Sequence, residues 1–299
     1  MSPRVAFHIG YRKTASTWFQ RVALPSHPAI GAFITTPVGQ PFLREIIVQP
    51  DRSFDVGRAR RLFDERAAEL DVPEDGIIVV SAERLSGHLA SGSYDAFRIA
   101  ERLHAVVPDA RVFAVVREQT AMLESEYQQL VREGSPARVE ALLDEGSHWR
   151  TVGFDLARYD YDRLADAYAA LFGADNIRLF ELGALTRDPR AFLDDVAAYL
   201  EIEPWPELTD EALHRRVNAG VPRRLLGARR FMNHFERSLL NPYPLVSVRP
   251  FWQLPLGVLA TRLPPPKRPF FDAATRARLQ DRYRRCNAQL AERYGVVLG

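Results

Sequence analysis

The stretch Phe7-His8-Ile9-Gly10-Tyr11-Arg12-Lys13-Thr14-Ala15-Ser16-Thr17-Trp18 decides how the rest of the chain is read. Arg4 to Ile9 is a short apolar run of the kind buried in a sheet, and Gly10-Tyr11-Arg12 marks a turn. A helix is expected from about Thr14–Ser16 through Trp18, Phe19 and Val22 to about Leu24, with hydroxyl residues at its start that suit an N-cap. A strand, a tight loop and a helix start leave backbone N–H groups pointing out of the helix end, where the helix dipole favours an anion. Lys13 adds a positive charge there, and Thr14, Ser16 and Thr17 add hydroxyl donors. The spacing is not G-x-x-x-x-G-K-[ST], so this is not a Walker A loop, and it has no evident duty to hold magnesium. Taken alone, the segment reads better as an ordinary turn into a well-capped helix.

Composition narrows the setting. The 299 residues suffice for one substantial core, and with 46% hydrophobic and 26% charged residues the chain is not dominated by disorder. A net charge of +2 is too near neutral for nucleic acid to be the main partner. Only Lys13 and Lys267 are lysines; the other 38 basic residues are arginine. A lysine kept inside this loop points to a need for a compact ammonium. Cys286 is the sole cysteine, which excludes an intrachain disulfide and a cysteine-based metal site. No HExxH or EF-hand pattern occurs, so no metal is expected. The N-terminus enters a strand without the apolar core of a signal peptide, and no apolar run approaches the roughly 20 residues of a membrane span. A cytoplasmic protein is expected, with peripheral membrane contact left open.

Outward from the loop, strands alternate with helices. Helical spacing covers Val56 to Leu70, and Pro73 to Gly76 is a turn before the apolar strand Ile77 to Val80. A helix over Tyr94 to Val107 precedes a strand over Arg111 to Val116, and the next helix, Glu118 to Arg132, stops before Gly134 and Pro136. A helix at Tyr161 to Phe172, a strand at Ile177 to Phe180 and a helix at Pro189 to Leu200 follow. This order predicts an α/β fold, a central parallel sheet flanked by helices. Beyond Pro204 the character changes. Prolines at 242, 244, 250, 255, 264, 265, 266 and 269 are too close for long elements, and a final amphipathic helix is expected over Asp272 to Tyr294. The aromatics Phe251, Trp252, Phe270 and Phe271 suit an acceptor pocket, a membrane surface or plain packing.

Two further groups bear chemistry. Arg117 closes the strand Arg111 to Val116, and Ser125 lies eight residues on, about two helical turns. The pair suits a shared anion, since a guanidinium fork fits a phosphate; Arg117 could equally cap its strand or pair with Glu118 or Glu124. Glu83 stands just past a buried strand, at the end where open α/β sheets form their ligand crevice, and could take a proton from an attacking hydroxyl. Pairing of Glu83 with Arg84 or another arginine is the plainer alternative, and His8 and His88 are competing bases.

Gly-Tyr-Arg-Lys-Thr-Ala-Ser-Thr-Trp over residues 10–18 resembles the 5′-phosphosulfate-binding loop of sulfotransferases that use 3′-phosphoadenosine 5′-phosphosulfate (PAPS), typically Lys-Ser/Thr-Gly-Thr/Ser-Thr-Trp. Arg117 and Ser125 resemble that family's 3′-phosphate signature, and Ile177 to Glu181 followed by Asp188-Pro189 resembles a later segment, with Phe180 replacing a more usual tyrosine. The resemblance covers roughly residues 4–200 and implies a P-loop-NTPase-like sulfotransferase fold. It implies one domain over 1–299, with a cofactor-binding α/β core at 1–200 and a helical, proline-rich acceptor side at 201–299. Lys13 would bridge the leaving phosphate oxygen and the sulfonate; Arg12, Thr14, Ala15, Ser16 and Thr17 would surround the 5′-phosphate, with Ala15 where many members have glycine. Trp18 would stack near the adenine or sit in the core. Arg223 or Arg224, in a late basic segment, would reach the 3′-phosphate together with Arg117 and Ser125. Glu83, or else His8, would be the base. PAPS would be the co-substrate and adenosine 3′,5′-bisphosphate the product, with a hydroxyl or amine of a small-molecule, lipid or glycan acceptor. A P-loop kinase lacks its Walker loop here, a decayed nucleotide-binding protein would not keep both Lys13 and Arg117, and a nucleic-acid module would be more basic. Acceptor and oligomeric state stay open.

Overall fold

Five short apolar runs become the strands β1 (Arg4–Ile9), β2 (Ile30–Ile34), β3 (Ile77–Ala82), β4 (Arg111–Val116) and β5 (Ile177–Glu181). All pair in parallel, in the spatial order β2-β3-β1-β4-β5. The sheet belongs to the computed structural model of the chain, which describes residues 4–34, 39–143, 154–214, 225–238, 240–245 and 270–298. β1 is central: Ile9 pairs with Ala82 of β3, and His8 faces Phe113 of β4. The connection out of β1 runs to the β2 edge, whereas that out of β3 crosses to β4 on the other side. Neighbouring strands whose connections part in opposite directions open a crevice at their carboxyl ends. The crevice therefore lies where β1 hands over to Gly10 and β3 to Glu83.

One face of the sheet (Ala6, Ile77, Val79, Phe113, Val115, Phe180) packs against Phe19 and Leu24 of the first helix and Phe192, Leu193, Val196 and Leu200 of the helix Pro189–Leu200. On the other face Phe7 meets Phe172 of the helix Tyr161–Phe172 edge-on at 6.1 Å. Strands buried on both sides explain the continuous apolar runs of β3 and β4.

The sequence reading places most elements within two residues, with informative departures. β2 and the short helices Pro41–Ile47 and Leu182–Arg187 were not expected. β3 runs on through Ser81 and Ala82, since Ser81 pairs with both His8 and Ile34. The first helix covers residues 16–26, and its middle turn, Phe19–Ala23, is π-helical.

The chain divides into two compact units, one of residues 1–117, 146–217 and 284–299, the other of residues 118–145 and 218–283. The first holds the whole sheet. In the second, the helix Gln119–Arg132 packs on the helix Leu226–Asn233, where buried Asn233 donates through Nδ2 to the carbonyls of Val131 (2.7 Å) and Ser135 (2.8 Å). Arg276 pairs with Glu124 there, Phe270 lies edge-on to Tyr127, and Phe271 is buried, which gives these two aromatics packing roles. Phe251 and Trp252 lie outside the described residues. Among the described residues no helix is long and apolar enough to cross a membrane.

Candidate active site

The loop between β1 and the first helix is held in an unusual backbone. Lys13 (φ 66°) and Ala15 (φ 60°, ψ 16°) are both left-handed, a region that costs L-residues about 1–2 kcal/mol each. Strain of this kind persists only where surrounding bonds impose it, and it gathers at binding sites. Here the bonds are visible: Thr14 Oγ1 (2.6 Å) and Ser16 Oγ (3.0 Å) both donate to the carbonyl of Tyr11 and curl the loop on itself. The hydroxyl N-cap expected from the sequence is not what forms. The N-cap is Ala15, which has no side-chain oxygen, while Thr14 and Ser16 are buried and turned inward. The helices Gln119–Arg132 and Pro189–Leu200 differ, because the carboxylates of Glu118 and Asp188 accept from their first amides. The first helix thus starts without an acidic or hydroxyl cap, behind a lysine.

Ala15→Gly is expected to raise stability by about 0.5–1 kcal/mol, the left-handed cost less the extra freedom of glycine in the unfolded chain. Urea unfolding reads it as a higher midpoint. An unchanged or lower midpoint would mean that Ala15 is not strained.

Glu83 faces this loop from the end of β3. Gly10 lets them approach: a Cβ there would lie 3.1 Å from Ser16 Oγ and 3.6 Å from Glu83 Cα. The Glu83 carboxylate lies 3.9 Å from Arg12 Nε, a part-exposed pair that contributes little to stability. Arg84 does not take Glu83. It bonds Asp95 at 2.8 Å, and Asp95 also accepts from the His88 amide. Burial opposes ionisation of Asp95, but these bonds outweigh it and hold its carboxyl below the ordinary carboxylate range. His88 is exposed, with Nδ1 2.6 Å from Ser91 Oγ, and burial of part of its ring, then the nearby Arg84 charge, lowers its pKa.

Two residues expected in the site take core positions instead. His8 is fully buried, stacked on Phe113 at 4.9 Å and edge-on to Phe19 at 5.2 Å, with Nδ1 2.7 Å from Ser81 Oγ. Burial pulls its pKa down to about 3, so it stays neutral at neutral pH, and no acceptor hydroxyl reaches it from the crevice. Trp18 is buried in the main core, where its indole N–H donates to the Ala212 carbonyl (2.9 Å), a packing position and not an adenine platform. Arg117 directly follows β4, and its carbonyl accepts from the Tyr161 hydroxyl (2.9 Å). Ser125 lies in the second turn of the helix Gln119–Arg132, half-buried. Arg223 and Arg224 lie outside the described residues.

Sequence reasoning missed the residues that support the loops. Gln20, one turn into the first helix, donates through Nε2 to Ser81 Oγ (3.0 Å) and the Ser81 carbonyl (3.2 Å), tying that helix to β3. Ser86 Oγ lies 3.0 Å from the Gly10 carbonyl and 2.9 Å from that of Glu83. Buried Arg158 bonds the same turn. The serine of Glu83-Arg-Leu-Ser86-Gly87, one turn beyond a strand end, was the only signal available.

No family model matches the sequence, and no curated protein matches it. Solved structures do. A sulfotransferase from Alicyclobacillus acidocaldarius superposes with a TM-score of 0.50 and 17% identity, over 71% of this chain and 89% of that one. The sulfotransferase domain of the Synechococcus PCC 7002 olefin synthase gives 0.43 and 15%, over 87% and 94%. Mouse sulfotransferase SULT7A1, complexed with PAP, gives 0.40 and 12%, over 97% and 84%. The last two superpose too loosely to carry weight, so the assignment rests on the first, together with the strand order and the loop at the crevice: the chain has the sulfotransferase fold.

Proposed function

We propose that the chain is an enzyme that transfers the sulfonate group of PAPS to a hydroxyl or amine of a small-molecule, lipid or glycan acceptor. The observation that carries this reading is the left-handed Lys13–Ala15 loop leading into an uncapped helix start, opposite Glu83, at the crevice between β1 and β3. Main-chain amides at such a start, with an adjacent ammonium, fit a 5′-phosphosulfate. Arg117 would take the 3′-phosphate, its guanidinium by a bidentate grip. Residues 1–200 would form the donor side and 201–299 the acceptor side.

The chemistry asks the protein to orient and to neutralise. The acceptor oxygen or nitrogen bonds to sulfur as the bond between sulfur and the bridging phosphate oxygen breaks. The electron pair of that bond leaves on the phosphate, where Lys13 and the loop amides meet the growing negative charge. The acceptor proton passes to Glu83, since His8 is sealed in the core and its basicity suppressed.

Glu83→Gln is expected to lower kcat by about 10²-fold or more while leaving the affinity for adenosine 3′,5′-bisphosphate within about twofold. Steady-state turnover with PAPS, sulfonated product being followed by mass, checks the first and calorimetry the second. An unchanged kcat would remove Glu83 from the reaction. The acceptor itself is found by incubating the protein with PAPS and an extract of its source cells; a wild-type protein that sulfonates nothing and binds no bisphosphate would overturn the assignment.

A further inference from the structure

Lys13 and Glu83 sit on separate loops at the ends of β1 and β3, 70 residues apart in the chain. An in-line transfer needs them at one fixed separation, and an error near 1 Å in such a geometry can cost about 10²-fold in rate. The strands set the positions of Ile9 and Ala82, but beyond them the two loops leave the sheet and need bonds of their own.

One side chain contributes to both loops, beside the Ser86 Oγ–Gly10 contact (3.0 Å) and the Arg12–Glu83 pair (3.9 Å) that join them directly. Arg158 comes from the 3₁₀ turn Leu156–Tyr159, which Asp155 caps through the Ala157 amide (2.7 Å), and it is 5% exposed. Its Nη1 donates to the carbonyls of Ser86 (3.1 Å) and Gly87 (3.2 Å) and to the Ser93 hydroxyl, and its Nη2 donates to Ser86 Oγ (3.0 Å). Its guanidinium lies 5.4 Å from the ring centre of Tyr11, in cation–π range. Both loops are therefore reached. The Glu83 turn is held at its own carbonyls. The Lys13 loop is held through the Tyr11 ring and through Ser86 Oγ, which lies within bonding distance of both Gly10 and Glu83 carbonyls.

The surroundings are shaped to present these acceptors. Gly87 has φ 95°, and a Cβ there would come within 2.5 Å of Ser93 Cβ, so only glycine lets the segment fold back on itself. From behind, the Tyr168 hydroxyl donates to the Leu85 carbonyl (3.2 Å). Burying a guanidinium among carbonyls and hydroxyls costs desolvation that apolar packing would avoid. Its planar fork does what apolar packing cannot, holding several oxygens at fixed angles at once.

We propose that Arg158 is a positioning residue which sets the distance between Lys13 and Glu83, and so governs the transfer step and not donor binding. This role rests on the sulfotransferase reading above. The residue touches neither reacting group; it acts through Ser86 and Tyr11.

The test is Arg158→Lys, which keeps the charge but loses the fork. With PAPS and an accepted substrate, kcat is expected to fall about 10²-fold, with the KM for PAPS and the affinity for adenosine 3′,5′-bisphosphate within about threefold of wild type. Circular dichroism and thermal unfolding count the folded fraction. Should Arg158→Lys not fold, Ser86→Ala carries the same test, because it removes the hydroxyl that joins Arg158 to Gly10; about a tenfold fall in kcat is then expected at constant KM. A kcat per folded molecule equal to wild type, or a loss confined to KM, would overturn the role. A wild-type protein that neither turns over PAPS nor binds the bisphosphate would instead sink the activity itself, and this role with it.

Discussion

Replacing Lys13 by alanine is expected to reduce sulfonate transfer by at least about 10³-fold while changing the unfolding free energy by less than about 1 kcal/mol. The two effects separate because of where the lysine stands. In the proposed role its ammonium, beside Arg12 in the same loop, meets charge growing on the bridging oxygen, and such interactions act chiefly in the transition state. Its backbone is left-handed at φ 66°, and alanine keeps that conformation at the same cost. Lys13→Gly sharpens the contrast. It should be equally inactive, yet more stable than wild type by about 0.5–1 kcal/mol, because glycine adopts positive φ without strain. Product formation and urea unfolding on the same preparations check both. A Lys13→Ala protein that still turns over at the wild-type rate would end the role.

The second large effect is expected at Arg117. Arg117→Ala should weaken the affinity for adenosine 3′,5′-bisphosphate by about 10–100-fold, the loss of charge-assisted bonds of about 1.5–3 kcal/mol. The kcat at saturating PAPS should change far less. The bond that the Tyr161 hydroxyl makes to the Arg117 carbonyl is one that alanine retains. Adenosine 5′-monophosphate, which lacks the 3′-phosphate, should bind wild type and variant alike. Arg117→Lys should recover only part of the affinity, since an ammonium cannot grip two phosphate oxygens in one plane. Equal affinity of wild type and Arg117→Ala for the bisphosphate would place the 3′-phosphate elsewhere.

The parts of the fold legible in the sequence were those with a single physical explanation. β3 and β4 contain the unbroken apolar runs Ile77–Val80 and Val112–Val116, and such runs between helical segments have little choice but the middle of a parallel sheet. β2 escaped because Ile30-Gly31-Ala32-Phe33-Ile34 is short, carries a glycine and follows Pro28, so that its neighbours in sequence look like loop. The loop itself was found, but its hydroxyls were misread. Serine and threonine beside a helix start ordinarily cap it, and only the left-handed turns at Lys13 and Ala15 show that Thr14 and Ser16 bond back to Tyr11. His8 and Trp18 were ambiguous for a related reason: a polar or aromatic residue in a strand–loop–helix unit can face the crevice or the core, and one residue of register separates the two. Here both face the core. Arg158 could not have been found from sequence at all. Its bonding partners lie 65 to 72 residues away, no motif surrounds it, and only the folded chain brings it to the turn after Glu83.

A claim that one site grips both ends of a doubly phosphorylated adenosine is tested most directly by calorimetric titration of the wild-type protein with adenosine 3′,5′-bisphosphate, beside adenosine 5′-monophosphate. The bisphosphate should bind at micromolar concentration and about tenfold or more tighter than the monophosphate, in proportion to the added grip on the 3′-phosphate. No binding of the bisphosphate, or equal binding of the two nucleotides, would contradict the account.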